Sequence, residues 1–436
     1  MTESGRPRVV IVGGGFGGLY AARALRRAPI DLTLIDRRNF HLFQPLLYQV
    51  ATGVLSPGDI AVPLRSILRK QRNATVLLGD VREINVEQRY VRTVEGLRRD
   101  FDVLLLATGA HHSYFGHDEW AEHAPGLKTV EDATEIRRRI LIAYEAAEQE
   151  ADPARRRAWM NFVVVGAGPT GVELAGALGE IAHETLRGDF RRIRPQRARI
   201  YLLEGLERVL PGYPEDLSEA ARRTLRRLGV HVRTGTLVTH IDEEGVTLGS
   251  GKDQAARIDA RTVLWAAGVQ ASSFGRQLAE ATGAKTDKAG RLVVEPDLSL
   301  PGHPSIFVIG DLALYTHQTG KPLPGVAQVA IQQGGYAARA IEAHLEGRSP
   351  RKPFRYFDPG NLATIGRGKA VGDFGLFRLA GFPAWVAWVG VHIFYLMEFE
   401  NRLLVATQWA WNYFTRRRGA RLITGQPLQP EIKDPA

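Results

Sequence analysis

Two glycine-rich segments, GGGFGG at residues 13–18 and GAGPTG at residues 166–171, have the residue types and spacing needed to bind a pyrophosphate. The first glycine of such a segment permits a tight turn from strand to helix, the second lets the backbone approach the phosphates, and the third lets the helix pack closely. The N–H groups at the start of that helix favour an anion. The glycines that fit this spacing are Gly13, Gly15 and Gly18 in the first segment and Gly166, Gly168 and Gly171 in the second. The pattern predicts two dinucleotide sites.

An acidic residue ends the next apolar stretch after each glycine segment. Asp36 closes the stretch that follows the first segment, and Glu204 closes the one that follows the second. An acid at this position accepts the ribose hydroxyls of an adenosine and repels a 2′-phosphate, so we predict a preference for NADH over NADPH. Arg208 lies close enough in sequence to weaken that exclusion. The alternative is that either acid only caps a strand end in solvent.

The strand and helix signals around the two segments recur in the same order. The predicted strands are residues 9–12, 30–36, 162–165 and 199–204, and the predicted helices are residues 17–27 and 172–186. Three further apolar strands end in glycine, at residues 104–109, 263–268 and 307–311. We therefore predict an α/β fold with two Rossmann-like dinucleotide-binding domains, one split in sequence and the other inserted into it.

The composition limits the kinds of site and partner that this chain can have. The chain has 436 residues, a formal net charge of +10 and no cysteine. The absence of cysteine excludes disulfides, thiolate metal sites and thiol redox chemistry. The positive charge suits nucleic acid, an anionic membrane surface or phosphate-rich ligands. The basic segment at residues 187–199 has Phe190 as its one aromatic residue and no nucleic-acid-binding motif, so we expect no nucleic-acid partner.

The C-terminal part has a different composition from the rest of the chain. Residues 379–397 contain no Asp, Glu, Lys or Arg and could cross a bilayer at about 20 residues. However, two glycines and a proline interrupt them, and four of the seven tryptophans lie between residues 374 and 414. This mixture favours helices that lie in the membrane interface, with the following arginines on anionic lipid; these arginines are Arg416, Arg417, Arg418 and Arg421. A spanning helix is the alternative, and a homodimer interface is expected to contribute to this apolar composition instead of competing with membrane contact. No apolar signal segment precedes residue 9, so we expect the cytoplasmic face.

Several motifs together resemble one known family. They are GGGFGG, HLFQPLLYQVATG at residues 41–53, GAGPTGVELAGAL from residue 166, IGDLA at residues 309–313, AQVAIQQG at residues 327–334, and the aromatic C-terminus. The chain resembles the type II NADH dehydrogenases, which are single-subunit NADH:quinone oxidoreductases with the glutathione-reductase-like flavoprotein fold. The resemblance covers essentially the whole chain. It implies non-covalent FAD on the first glycine segment, NADH as substrate on the second, and a quinone as electron acceptor.

The resemblance also assigns roles to individual positions. The FAD-binding residues implied are Gly13, Gly15, Phe16, Gly17, Gly18, Asp36, Arg37, Val81, Ala107, Thr108, Gly109, Gly310, Asp311, Ala327, Gln328, Val329 and Lys369. The NADH-binding residues implied are Gly166, Gly168, Pro169, Gly171, Glu173, Glu204 and Gly268. Gln328, Gln332 and Lys369 would form the quinone pocket, and Glu173, Gln328 and Gln332 are the candidate catalytic residues. Glu173 would face the nicotinamide and help to carry protons, although a carboxylate also suits a helix N-terminus for its dipole alone.

The implied domain organisation places FAD binding in residues 1–125 and 285–349, NADH binding in residues 126–284, and membrane anchoring in residues 350–436. Hydride would pass from NADH to FAD, and two electrons with two protons would pass to quinone, without proton pumping. Dithiol reductases and sulfide:quinone oxidoreductases share this architecture but work through cysteines that are missing here. A soluble reductase of a ferredoxin-like protein and a flavin-bearing NADH sensor remain as alternatives.

Overall fold

The structure is a computed structural model, and it describes residues 5–250, 253–348, 352–415 and 418–425. Contacts divide the chain into two compact units. The first unit comprises Met1–Leu42, Ala61–His112 and Val269–Pro359, and the second comprises Phe43–Ile60, Ser113–Gly268 and Gly360–Ala436. The sequence-based boundaries lie after residues 125, 284 and 349. The part of the chain from residue 360 groups with the inserted unit instead of standing alone.

The first unit is built on a six-stranded sheet. Its strands, in spatial order, are Ser299–Leu300, His303–Val308, Val103–Leu106, Arg8–Val12, Asp31–Asp36 and Ala74–Leu78. All neighbours pair in parallel except the short first strand. The central strands are almost continuously apolar and buried, as expected when helices cover both faces of a parallel sheet. The carboxyl ends of these strands therefore meet at one edge, beside the first glycine segment.

Smaller elements complete the first unit. A three-stranded antiparallel sheet contains Val81–Asn85, Tyr90–Thr93 and Arg98–Asp100, and two-stranded pairs join Phe40–Leu42 to Ala61–Pro63, Ala110–His112 to Val269–Ala271, and Leu292–Val293 to Ala313–Leu314. The α-helices are Phe16–Ala24, Leu64–Leu68, Phe274–Thr282 and Ala327–Leu345. The first and last of these helices pack so closely that a Cβ on Gly334 would collide with the Gly17 carbonyl.

The second unit repeats the same principle with a four-stranded parallel sheet. Its strands, in spatial order, are Val230–Arg233, Arg199–Leu203, Asn161–Val165 and Thr262–Trp265. Two antiparallel sheets accompany it, one of Leu237–Asp242, Gly245–Ser250 and Asp253–Asp259 and one of Asn361–Thr364, Ala370–Asp373 and Arg378–Gly381. The α-helices are Leu47–Ala51, Pro57–Ile60, Val130–Gln149, Pro153–Trp159, Pro169–Glu180, Glu215–Arg227, Phe382–Tyr395 and Phe399–Thr415. A single π-helical turn, Ile181–Thr185, follows Pro169–Glu180.

The tail helices, defined as Phe382–Tyr395 and Phe399–Thr415, have one buried and one exposed side. Trp388 and Trp409 are buried, whereas Phe399 and Phe414 are about four-fifths exposed, at 77% and 81%. The first helix has 14 residues and is about 21 Å long at about 1.5 Å per residue, which is shorter than a hydrocarbon core of about 30 Å. Within the described residues, no helix combines the length and the hydropathy needed to span a membrane.

Candidate active site

The first glycine loop, defined as residues 13–18, joins a strand to the helix that follows it. Gly13 has a φ of +105°, which side chains rarely adopt. A Cβ on Gly18 would collide with the Gly13 carbonyl, whereas a Cβ on Gly15 would meet no protein atom within 4 Å. The three glycines therefore serve the turn, the open approach to the backbone and the close packing that their spacing predicts. The open side at Gly15 has room for a pyrophosphate.

The second glycine loop, defined as residues 166–171, has the same geometry. Gly166 has a φ of +96°, and a Cβ on Gly171 would collide with the Gly166 carbonyl. A Cβ on Gly168 would again meet nothing within 4 Å. The helix starts at Pro169, whose missing N–H costs nothing at a first helical position. Both loops thus present an open helix N-terminus to a ligand.

The two predicted acids, Asp36 and Glu204, accept hydrogen bonds from the backbone of these loops. Asp36 accepts the Gly14 N–H at 2.5 Å, and Glu204 accepts the equivalent Ala167 N–H at 2.6 Å. The second oxygen of each carboxylate accepts the backbone N–H two residues further along, at 2.7 and 2.9 Å. Burial raises the pKa of Asp36, and its backbone donors oppose that shift. Each carboxylate keeps lone pairs that ribose hydroxyls can use.

The other FAD-binding candidates of the first unit lie at or next to the ends of its strands or at the starts of two helices, Phe16–Ala24 and Ala327–Leu345. They are Phe16, Gly17, Arg37, Val81, Ala107, Thr108, Gly109, Gly310, Asp311, Ala327, Gln328 and Val329. Thr108 Oγ1 and Ser272 Oγ are 2.5 Å apart. Gly310 has a φ of +70°, and its N–H donates to Gln333 Oε1 at 2.7 Å. Thr108 and Gly310 are thus each held by a residue outside the predicted set.

Gly268 occupies a crowded position in the second unit. Its φ is +73°, and a Cβ there would lie 2.6 Å from the Phe115 ring and 2.8 Å from the Ser113 carbonyl. Packing by itself therefore requires glycine. Contact between Gly268 and NADH stays a prediction.

Glu173 lies in the wall of a cavity of about 100 Å³ within the second unit. It is the fifth residue of the helix Pro169–Glu180, so the expectation that it lies in the first helical turn is wrong. Burial raises the pKa of its carboxyl to about 8, although a hydrogen bond from the Thr364 backbone opposes the shift. The carboxyl is consequently protonated at neutral pH, unlike a carboxylate that only caps a helix in solvent. It can donate a proton.

Two sides of this cavity differ in character. One face of the Glu173 helix and its π-helical turn contributes Glu173, Ala177, Glu180 and Glu184. The tail helices contribute Trp385, Trp388, Trp409, Asn412 and Tyr413. The cavity thus combines a wall of glutamate side chains, two of them paired with Arg367 and Arg418, with an aromatic wall.

A buried hydrogen-bonded chain ties the second tail helix to the cavity wall. Trp409 Nε1 donates to Gln49 Oε1 at 2.7 Å, and Gln49 Nε2 donates to Tyr48 Oη at 2.9 Å. Burial, with a smaller contribution from Glu173, holds the pKa of the Tyr48 hydroxyl well above its usual value. Tyr48 is therefore a neutral hydrogen-bonding group.

Arg418 is buried, so the expectation that it lies on the lipid surface is wrong. Its guanidinium donates to Glu180 Oε2 at 2.7 Å and to the Thr52 carbonyl at 2.9 Å. Burial lowers the pKa of Arg418, and the Glu180 charge opposes that shift. Arg421 pairs with Asp189 at 2.5 Å. Arg416 and Arg417 lie outside the described residues.

Comparisons with known proteins agree with this geometry. Residues 7–334 match the family described as pyridine nucleotide-disulphide oxidoreductase. The type II NADH:quinone oxidoreductase Ndh of Mycobacterium tuberculosis is 47% identical over 426 residues, which are 97% of this chain and 91% of that protein. NdhA of the same organism is 47% identical over 438 residues, covering 98% and 92%. The chain belongs to the type II NADH:quinone oxidoreductases.

Solved structures show the same fold. NDH2 from Plasmodium falciparum in complex with NADH matches with a TM-score of 0.86 at 20% identity, covering 95% of this chain and 99% of that one. The sulfide:quinone oxidoreductase of Aquifex aeolicus matches with a TM-score of 0.71 at 20% identity, covering 91% and 92%. At such identities the likeness concerns the fold alone. It confirms the predicted α/β flavoprotein architecture.

The quinone-pocket candidates of this type II enzyme are distributed over both units. Gln328 and Gln332 lie one turn apart on Ala327–Leu345, so the segment is helical as expected. The Gln332 amide pairs with the Phe357 backbone, donating to its carbonyl at 2.8 Å and accepting its N–H at 3.0 Å. Lys369 belongs to the second unit, in the turn between the strands Asn361–Thr364 and Ala370–Asp373. Their contact with quinone stays a prediction.

The sequence did not reveal several buried residues that hold the candidate site in place. Gln333, which holds the Gly310 N–H, is 1% exposed, although it adjoins the predicted Gln332. One signal was available, because adjacent glutamines on a helix point to different sides. Tyr48 and Gln49 lie inside the family motif at residues 41–53 but gave no local sign of burial.

Proposed function

We propose that this type II NADH:quinone oxidoreductase binds FAD on the first glycine loop and NADH on the second, and uses Glu173 as a proton donor. FAD, when bound, accepts hydride from NADH and passes two electrons to a quinone. One observation supports two dinucleotide sites: both loops are open at their middle glycine, Gly15 or Gly168, and closed at the outer two. The residues present thus fit two dinucleotides.

The chain supplies position and charge for this reaction. N–H groups at the two helix starts bind the pyrophosphates, and Asp36 and Glu204 accept the ribose hydroxyls of FAD and NADH. Glu173, protonated at neutral pH, gives a proton for the reduction of quinone. Gln328 and Gln332 are proposed to hydrogen-bond the quinone carbonyls, because an uncharged amide serves both redox states. Lys369 is proposed to border FAD and quinone.

The test of the function is NADH oxidation by the detergent-solubilised protein. We expect turnover with a short-chain quinone and little with ferredoxin or oxygen alone. Turnover that requires ferredoxin would favour the reductase alternative. Tight NADH binding without turnover would favour the sensor.

Glu204 should make the enzyme prefer NADH. Its carboxylate repels a 2′-phosphate, so we expect kcat/KM for NADPH to be lower by at least about tenfold. Glu204→Gln keeps an oxygen for the Ala167 N–H but removes the charge. The ratio of kcat/KM for NADH to kcat/KM for NADPH should therefore fall. Initial rates with both coenzymes measure this. Equal initial rates with NADH and NADPH in the unmodified enzyme would show that Glu204 does not discriminate between the two coenzymes.

The exposed side of the tail helices is proposed to bind an anionic membrane surface, on the cytoplasmic face where NADH is available. Phe394 and Trp411 are about two-thirds exposed, at 68% and 66%, while Trp388 of the same helix pair is buried. A two-sided arrangement of this kind supports peripheral attachment in the plane of the interface. A homodimer interface is proposed to contribute to the burial of this surface, beside lipid contact.

Four serine substitutions on that exposed side should release the protein from membranes. The variant combines Phe394→Ser, Phe399→Ser, Trp411→Ser and Phe414→Ser. Since each buried aromatic contributes about 1.5–3 kcal/mol, vesicle binding should fall at least about 100-fold. Flotation with anionic vesicles measures it, and Leu78→Ser with Val94→Ser, exposed apolar residues of the first unit, is the matched control. A quadruple variant that still floats would contradict lipid contact, and one that changes from dimer to monomer would show that the same surface also forms a homodimer.

A further inference from the structure

His41 is a buried histidine directly beneath the first glycine loop. It lies in the strand Phe40–Leu42, is 1% exposed, and its Nδ1 is 3.0 Å from the Gly14 carbonyl oxygen. Because a carbonyl oxygen only accepts, Nδ1 must carry the proton and donate it. The Phe16 ring packs edge-on against the imidazole. His41 is therefore fixed in its Nδ1–H tautomer, with the ring against Gly14.

The Gly14 carbonyl matters because of the peptide to which it belongs. The C=O of Gly14 and the N–H of Gly15 lie in one planar trans peptide and point in opposite directions. Holding the carbonyl towards His41 thus directs the Gly15 N–H away from His41. Two adjacent glycines otherwise leave this peptide with unusual rotational freedom.

The second glycine loop holds the equivalent peptide by another donor. The Ala167 carbonyl accepts the Leu210 backbone N–H at 2.8 Å. Leu210 follows Glu204 by six residues, much as His41 follows Asp36 by five. Leu210 has a φ of +48°, a costly conformation for a leucine. In both loops the second residue, Gly14 or Ala167, is therefore held by two hydrogen bonds. An acid accepts its N–H, and a donor from the chain just beyond that acid binds its C=O.

We propose that His41 is a positioning residue for FAD, which fixes the Gly14–Gly15 peptide so that the Gly15 N–H faces the pyrophosphate. This inference rests on the proposed assignment of FAD to the first loop. His41 is too deeply buried to touch a ligand in the loop, so it acts through Gly14. Burial also lowers the pKa of its imidazole to about 4, which keeps it neutral and able to hold this tautomer at physiological pH.

The test compares three substitutions that differ in where they place a donor. Asparagine puts an amide N–H close to the position of Nδ1, glutamine puts one close to the position of Nε2, and phenylalanine has none. We expect His41→Gln and His41→Phe to raise the Kd for FAD about tenfold, the effect of one lost hydrogen bond, and His41→Asn to stay within about twofold. Equilibrium dialysis of the holoenzyme measures the Kd.

Two further measurements separate positioning from general damage. The KM for NADH should be the same in every His41 variant that keeps FAD, because the second loop has its own donor. The melting temperature of each FAD-saturated variant reports the fold, and if His41→Phe fails to fold, the comparison of His41→Asn with His41→Gln decides. Equal FAD affinity in His41→Asn and His41→Gln, weakened or not, would overturn the proposal.

A Gly15→Ala variant distinguishes failure of this inference from failure of the proposed function. If Gly15→Ala leaves FAD affinity unchanged, FAD does not bind at the first loop and both proposals fall. If Gly15→Ala weakens FAD binding while the His41 variants do not, only the role of His41 is wrong.

Discussion

Gly15→Ala should weaken FAD binding and lower NADH oxidation about 100-fold without unfolding the protein. A Cβ at this position meets no protein atom within 4 Å, so the fold has room for it. The methyl group would instead occupy the space through which the backbone approaches the pyrophosphate. A displacement of this kind costs about 100-fold in activity. The flavin absorbance of the purified variant and its rate of NADH oxidation measure the effect.

Gly168→Ala provides the matched comparison in the second loop. This variant should keep its FAD and its yellow colour but require much more NADH. Gly390→Ala, at a tail-helix glycine that also has room for a Cβ, should change neither property. Loss of FAD from Gly168→Ala, with FAD retained in Gly15→Ala, would show that the two nucleotides are assigned the wrong way round.

Glu173→Gln should lower the rate of quinone reduction by about 100-fold, the lower range for loss of a general acid. With a pKa of about 8, the carboxyl of the unmodified enzyme carries its proton below pH 8 and loses it above. The rate should therefore fall above pH 8 in the unmodified enzyme, whereas the slow rate of the variant should lack this decline. Steady-state kcat from pH 6 to pH 9.5 measures both features.

Glu173→Asp, which keeps an ionisable carboxyl, is the control and should retain an alkaline decline. Stability gives an independent check. Between the ordinary glutamate pKa and about 8, the folded protein holds a proton that the unfolded chain has lost, so the free energy of unfolding falls as pH rises. Glu173→Gln should reduce that dependence in thermal melts. A variant with the unmodified rate and the same alkaline decline would show that another group supplies the proton.

The glycine loops could be predicted because their requirements are local. A positive φ at Gly13, free space at Gly15 and close packing at Gly18 are each properties of a few neighbouring residues. The acids could be found for the same reason, since Asp36 ends the strand after the first loop and Glu204 directly follows the strand after the second. The assignment of the nucleotides came from the family resemblance and not from the spacing.

The supporting residues could not be predicted because distant parts of the chain create their surroundings. Arg418 follows two arginines and an amphipathic helix, a pattern typical of a lipid-facing cluster, yet it pairs with Glu180 from a different part of the chain. The donor role of His41 likewise requires a contact with Gly14, 27 residues earlier. The sequence also gave no sign that Glu173 is enclosed by Tyr48 and the tail helices.

The different donors to the two loop carbonyls imply different mutational robustness. The first loop depends on a side chain, so most single substitutions at residue 41 remove its donor. The second loop uses the backbone N–H of Leu210, which every amino acid except proline retains. Sequence drift should therefore be more strictly limited at residue 41 than at residue 210, where the positive φ restricts the choice of residue but the donor itself persists. If the two glycine loops arose by duplication, neither could now replace the other, because each needs its own carbonyl donor.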